Sequence, residues 1–435
     1  PLWNKEGCPS GSEDGVFLRL IRRRYPVSLR CLLTATPSQV QGNCGKCSFS
    51  CNVTTHSFHN PIQMNLVILT PGFAADEHDT TCIPGLQDLV QSYGRLFPEM
   101  QLHIIALHYP FREGEYRWNG VPIYAADGRN SKAYKLRTWW RVLRRIHALH
   151  AEKTISVLHS FWLSESALLG QVASRLYGIP HLATIMGQDA KPDNQYLPLI
   201  GAIQSASLSV FALSEFAAKV YAQSTGRVVR SCIPFGVVPH GIKPALSREE
   251  TNELATMRNI DILGVGSVIP LKNYTTFLEL VAVAKQHKSD IRALILGGFV
   301  DAAECKHLRS AITKLHLEEN VTLAGEVPRR EVFSMMARSR VLLHTSLYEG
   351  QGWVLLEALQ YGASVVCFDV GYTMQHPQMH VCQSTADMER ALRGVLDENL
   401  HENAAPQERL QHSSASVPVP SIDDTARLYV QYYRR

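Results

Sequence analysis

Two series of short, apolar, β-rich runs separated by helix-period segments constrain this chain more than any other feature. The first series falls at residues 66–69, 102–107, 155–158, 181–185, 208–213 and 228–233. The second falls at 260–265, 291–296, 321–323, 341–344, 365–368 and 380–382. Most runs are continuously apolar, as strands covered on both faces must be. Helical patterns such as "CIPGLQDLVQSYGRLF" and "NYTTFLELVAVAKQH" lie between them. Strand–helix alternation implies parallel sheets with right-handed crossovers. The expected fold is therefore α/β, with two doubly wound, Rossmann-like domains facing across a cleft. The first would span 63–238 and the second 239–398, joined where Gly and Pro interrupt both periods near "PFGVVPHGIKPALSREE". Residues 1–62 lack either period and read as an extension; residues 399–435 read as a polar linker and a last helix.

A chain of 435 residues exceeds one typical core, in keeping with two domains. With 45% apolar and 19% charged residues it reads as globular, and a net charge of +4 excludes no class of partner. No apolar stretch reaches the ~18–20 residues of a membrane span. Cys31, Cys44, Cys47 and Cys51 have the residue types of a zinc site, set against incidental thiols in an extension. The later cysteines, such as Cys367 in "SVVCFDV", read as reduced core residues and point to the cytoplasm.

Open α/β sheets bind ligands at the carboxyl ends of their strands. At the first such end, Pro71-Gly72 makes a tight turn whose amides are expected to approach an anion at the next helix. There is no G-x-G-x-x-G, which counts against a dinucleotide dehydrogenase. The first strand of the second domain ends in "GVGSVIPLKNY", where Lys272 is placed to neutralise a diphosphate. Further on, "YEGQGWVLLEAL" carries Glu349 before a glycine-broken turn and Glu357 within a helix. At 1.5 Å per residue the two acids stand roughly 10–12 Å apart, enough for a ligand of two rings joined by a diphosphate.

Glu349-x7-Glu357, with "LHTS" before it and "EALQYGASVV" after it, resembles the retaining glycosyltransferases of family 4, group 1 transferases with the GT-B fold. "PGF", "LHSFWLSE", "TIMGQDA", "IPFGV" and "GSVIPLKN" match in the same order, so the resemblance covers residues 64–435. It implies a donor site of Gly72, Gly266, Ser267, Lys272, Val327, Glu349, Gly350, Gln351, Gly352 and Glu357. In that site Glu349 would bind sugar hydroxyls, Glu357 the ribose, and Val327 the base through its backbone. His159 and Asp189 would face the acceptor, and Lys272, Glu349 and His159 would carry catalysis. Ser267 stands where the family commonly has Arg, and Gln351 and Trp353 replace the usual Phe and small aliphatic residue; these departures bear on which sugar is admitted.

The implied reaction moves a hexose-type sugar from a nucleotide diphosphate, UDP before GDP, to a glycan, lipid-linked or small-molecule acceptor, with retention. The biological setting would be polysaccharide or cell-envelope glycan synthesis. Two carboxylates this far apart do not suit a retaining hydrolase, which needs them ~5 Å apart. With no D-x-D in the chain, no obligatory metal or other cofactor is expected. A non-catalytic nucleotide-sugar binder and a nucleotide-sugar epimerase are the alternatives. Residues 128–153 hold eight Lys/Arg against Glu152. At 100° per residue Leu136, Trp139, Trp140 and Leu143 share one face and Arg137, Arg141, Arg144 and Arg145 another. A helix over 132–149 is thus a candidate peripheral contact with an anionic membrane, whereas nucleic acid is not an expected partner.

Overall fold

The structure, a computed structural model, describes residues 64–204, 206–401 and 418–434. The cysteine cluster at 31–51 lies outside the described residues. The first sheet contains β1 (Asn65–Gly72), β2 (Gln101–Tyr109), β3 (Glu113–Trp118), β4 (Val121–Ala126), β5 (Val157–Phe161), β6 (His181–Ile185), β7 (Leu208–Ala212) and β8 (Ser231–Cys232). Their order is β3-β4-β2-β1-β5-β6-β7-β8. The second sheet contains β9 (Ile260–Val265), β10 (Ala293–Leu296), β11 (Val321–Gly325), β12 (Ser339–His344), β13 (Ser364–Phe368) and β14 (Met379–Cys382), in the order β11-β10-β9-β12-β13-β14. All its pairings are parallel. Every residue of β1 is buried, as its unbroken apolar run demands.

Each sheet grows outward in both directions from its first strand. The order therefore reverses between β1 and β5 and between β9 and β12, the switch points at which open α/β sheets bind ligands. Lys272 follows β9 and Glu349 follows β12, so two segments 77 residues apart in the chain emerge side by side.

The first sheet is larger than its run count implies, because β3 and β4 form an antiparallel hairpin at its edge. Asn119 (φ 44°) and Gly120 (φ 80°) make its two-residue turn, the Asn-Gly pair that such hairpins favour. β3 alternates toward solvent at the sheet edge, so a search for continuous apolar runs passes over it, whereas β4 is an apolar run parallel to β2 that the sequence reading omitted. The 228–233 run shrinks to β8, and Val228 is 84% exposed.

The last helix, Ile422–Tyr433, starts in a capping box of Ser421 and Asp424 and returns to the first half of the chain. Ile422, Ala426, Tyr429, Val430 and Tyr433 form its buried face. Asp423 accepts from Arg95 Nη2 and Ser92 Oγ, both at 2.6 Å, on the Pro84–Leu96 helix. Thr425 Oγ1 donates to the Pro234 carbonyl at 2.8 Å. Tyr433 makes two side-chain bonds into the first sheet and its helix, its hydroxyl 2.8 Å from Tyr93 Oη and 2.6 Å from His159 Nδ1. Tyr433→Phe leaves both partners short of a bond in a dry site. Urea unfolding is expected to show a loss of about 1–3 kcal/mol, and an unchanged midpoint would refute this anchoring role.

Candidate active site at the interdomain seam

The site begins with a short helical turn, Pro270–Lys272, stitched to the loop after β12. Leu347 N donates to Leu271 O (2.9 Å) and Thr345 Oγ1 to Lys272 O (3.0 Å). Gly266, at φ +147°, has no side chain to obstruct the Lys272 stem; an added Cβ would lie 3.0 Å from Lys272 Cε. Thus directed, Lys272 Nζ lies 2.5 Å from Glu349 Oε1. His344 Nε2, at the end of β12, lies 3.1 Å from the same oxygen. Burial alone would raise the Glu349 pKa, but Lys272 and His344 outweigh it and hold the carboxyl well below its usual range. Glu349 is therefore an obligate anion at neutral pH. It suits accepting hydrogen bonds and does not suit proton abstraction.

Glu357 projects from the Trp353–Gln360 helix and accepts from Arg329 Nη2 at 2.8 Å. Arg329 opens the helix Arg329–Ala337 after β11 and also grips Asp88 across the seam, with Nη1 to Oδ1 at 2.8 Å. Burial opposes the arginine's charge, but Asp88 and Glu357 more than compensate and raise its pKa.

Turn 348–353 is bound to the opposite half. Tyr348 Oη donates to Gly187 O (2.9 Å), and Ser214 Oγ donates to Gly350 O (2.7 Å). A Cβ on Gly350 would lie 2.2 Å from Met186 O, so the contact admits only glycine. Gln351 is buried, accepts from Phe235 N (2.8 Å) and donates back to Phe235 O. Trp353 stacks on Phe235, with ring centres 5.8 Å apart, and lies over Gly85. Gly352, at φ +76°, caps the following helix.

Residues 248–398 match the family described as glycosyl transferases group 1. They belong to that family. The yeast phosphatidylinositol N-acetylglucosaminyltransferase GPI3 subunit (Saccharomyces cerevisiae) is 26% identical over 141 residues, 32% of this chain and 30% of its own. The 2-deoxystreptamine glucosyltransferase of Streptomyces kanamyceticus is 24% identical over 224 residues, 47% of this chain and 56% of its own. The chain thus spans about a third to a half of the length of these curated relatives. A solved structure of Anabaena HepE in complex with UDP-glucose superposes with a TM-score of 0.60 at 15% identity, covering 85% of this chain and 100% of that one. The fold is GT-B.

Within this glycosyl transferase domain, Lys272, Glu349, Gly266 and Ser267 come together at the β9/β12 switch point. Val327 is half-buried beside the second core, two residues before Arg329. Gln351 and Trp353 are corrected from determinants of sugar choice to tethers of the seam. Gly72 is also misplaced by the sequence reading. It ends β1, but eleven residues separate it from the helix at Pro84, so it supplies no helix N-terminus.

His159 is the larger correction. Instead of facing the cleft it is fully buried, with Nδ1 on Tyr433 Oη and Nε2 2.8 Å from Thr184 Oγ1. Both nitrogens are engaged, so it serves the core and not the reaction. Asp189 is turned back into its own loop: it accepts from the backbone amides of Leu163 (2.7 Å), Met186 (3.2 Å) and Gly187 (2.6 Å), so it braces the chain after β5 and β6. The basic segment forms the helix Lys135–Glu152, but its faces differ from those expected. Trp139 is buried against Glu165, Trp140 is 50% exposed, and Arg137, Arg141 and Arg145 are paired with Asp127, Glu113 and Glu115.

Arg329, Asp88 and His344 were not singled out from sequence. A signal for Arg329 existed: an arginine in the first turn of a helix opposes the dipole and needs a tertiary partner.

Burial pushes the pKa of His159 well below 6.5, and that of His181 down to about 3. Both imidazoles are neutral when folded and take up a proton on unfolding below pH 6.5. Their stabilising contribution is thus complete above that pH and falls as the pH drops. Between pH 7 and 5 each is expected to remove about 2 kcal/mol from the unfolding free energy. His181→Gln should take about 2 kcal/mol out of the measured loss between pH 7 and 5; an unaltered slope would contradict neutral burial.

Proposed function

We propose that this protein is a retaining glycosyltransferase of family 4 type that moves a hexose from a nucleotide diphosphate, UDP before GDP, to a glycan, lipid-linked or small-molecule acceptor. The observation that carries the reading is the Lys272–Glu349 pair, 2.5 Å apart at the β9/β12 switch point. A cation and an obligate anion side by side suit a ligand that is anionic at its diphosphate and hydroxyl-rich at its sugar. Lys272 offers charge to the departing diphosphate, and Glu349 accepts from the sugar hydroxyls. The acceptor attacks on the face the diphosphate leaves, and a diphosphate oxygen takes its proton. Glu357 accepts from the ribose. In this reading electrostatic stabilisation by Lys272 and loop amides supplies the rate, and no metal ion is needed. The domain match, the GT-B fold and the HepE complex with UDP-glucose support it.

We place the work in the cytoplasm, at a membrane surface. In support, Cys82, Cys232, Cys305, Cys367 and Cys382 are free thiols. Among the described residues no helix is long and apolar enough to cross a membrane. The exposed Leu136 and Trp140, with Arg144 5.1 Å over the Trp140 ring, give the surface helix an apolar, cationic stripe suited to an interface. Trp140→Ala with Arg144→Glu should abolish co-sedimentation with phosphatidylserine vesicles; unchanged sedimentation would remove the membrane from the account.

A panel of UDP-, GDP- and ADP-sugars tests the donor site by thermal shift. Wild type should be stabilised by at least one, UDP-sugars first, and Glu357→Ala should respond less. With the stabilising donor and an acceptor, Lys272→Ala should lower kcat/KM by about a hundredfold or more. A wild type that responds to none, or a Glu357→Ala variant that responds equally, would overturn the assignment.

A further inference from the structure

We propose that Asp88 and Arg329 are positioning residues that set nucleotide affinity by holding Glu357 against the opposite half of the molecule, an inference that rests on the donor site proposed above. Arg329 forms a fork on Asp88, with Nη1 to Oδ1 at 2.8 Å and Nη2 to Oδ2 at 2.7 Å. The same Nη2 reaches Glu357 Oε1 at 2.8 Å. One guanidinium thus serves two carboxylates from different halves. Asp88 is only 4% exposed, so the arginine cannot leave without uncovering a buried charge. The arginine's own seat is built: its Cζ lies 5.1 Å from the ring centre of Phe333, which packs 4.9 Å from Tyr361 in the second core. One turn before Asp88, Gly85 lies against the Trp353 ring, so the two helices that carry Asp88 and Glu357 are fixed at close range.

The chemistry follows from the oxygen count. Arg329 engages Oε1, and a carboxylate accepts through both oxygens. A side chain already fixed loses less entropy when it accepts from a ribose hydroxyl, which raises affinity without a new contact. Asp88 contributes through Arg329 alone, because its role is to anchor the guanidinium that orients Glu357. An arginine at the first position of a helix opposes the helix dipole, so local preference does not explain its presence.

The test is calorimetric titration of the full chain with UDP and with 2′,3′-dideoxy-UDP, alongside donor kinetics. Asp88→Asn is expected to weaken UDP binding about tenfold, the size of a typical coupling between sites. It should raise the donor KM with little change in kcat, and Asp88→Glu should restore both. The dideoxy nucleotide, lacking the hydroxyls Glu357 accepts from, should bind wild type and Asp88→Asn alike. In a Glu357→Gln background, Asp88→Asn should cost nothing more. Arg329→Lys, which keeps the charge but lacks the fork, is the second variant and should behave like Asp88→Asn. If wild type binds UDP and both variants bind it within about twofold of wild type, the positioning role is wrong while the donor site stands. Equal losses for UDP and the dideoxy nucleotide would also overturn it, as general destabilisation. A wild type that binds none of UDP, GDP and ADP would remove the donor site and this inference with it.

Discussion

Turn 348–353 belongs to the second half of the chain but is bonded to the first through two side chains and one carbonyl, and the arrangement of the cleft depends on that exchange. Gly350 O takes the Ser214 hydroxyl, Tyr348 Oη reaches Gly187 O, and Gln351 pairs with both backbone groups of Phe235. Each group would otherwise be buried without a partner, at a cost of about 1–3 kcal/mol apiece. The turn is thereby pinned on one side, which leaves the Glu349 side chain to face Lys272 on the other. A carboxylate at a turn this constrained has one direction to point, and the parallel order of the sheet puts a cation there.

The charges of the seam come in two unequal sets. At the β9/β12 switch point Glu349 meets Lys272 and His344, and the carboxyl is held ionised. Nearer β11 a single arginine is shared by Asp88 and Glu357. Partly buried ion pairs are poor investments for stability alone, because desolvation offsets much of the attraction. On the reading proposed above, a polar ligand accounts for two such sets, each containing a family-matched glutamate. The tyrosine–histidine network under the last helix is different in kind. Tyr93, Tyr433, His159, Thr184 and Tyr429 are buried and bonded mostly to one another, which serves the clamp between helix Ile422–Tyr433 and the first sheet.

Much of this was legible in the sequence, for physical reasons. Strands covered on both faces must be continuously apolar, so most of the parallel strands leave a mark; the polar edge strand β3 leaves none, and β4, apolar and parallel to β2, is a run the sequence reading passed over. The Asn119-Gly120 pair that would have revealed them is a turn signal, not a periodic one. Lys272 and Glu349 were legible because strand ends at a switch point are fixed by topology. His159 was misread because a strand end can face inward as readily as outward, and the helix that covers it lies 274 residues later. Gln351 and Trp353 were misread for a similar reason: their partner, Phe235, is a contact across the seam that no local pattern encodes. Trp139 and Trp140 show the same limit, since helical period groups neighbours and burial then separates them.

The most direct measurement is a crystal structure of the protein with UDP. The account predicts the diphosphate against Lys272 and the ribose hydroxyls on Glu357, with Arg329 still on Asp88. A nucleotide seated elsewhere, or one that leaves Lys272 and Glu357 untouched, would contradict it.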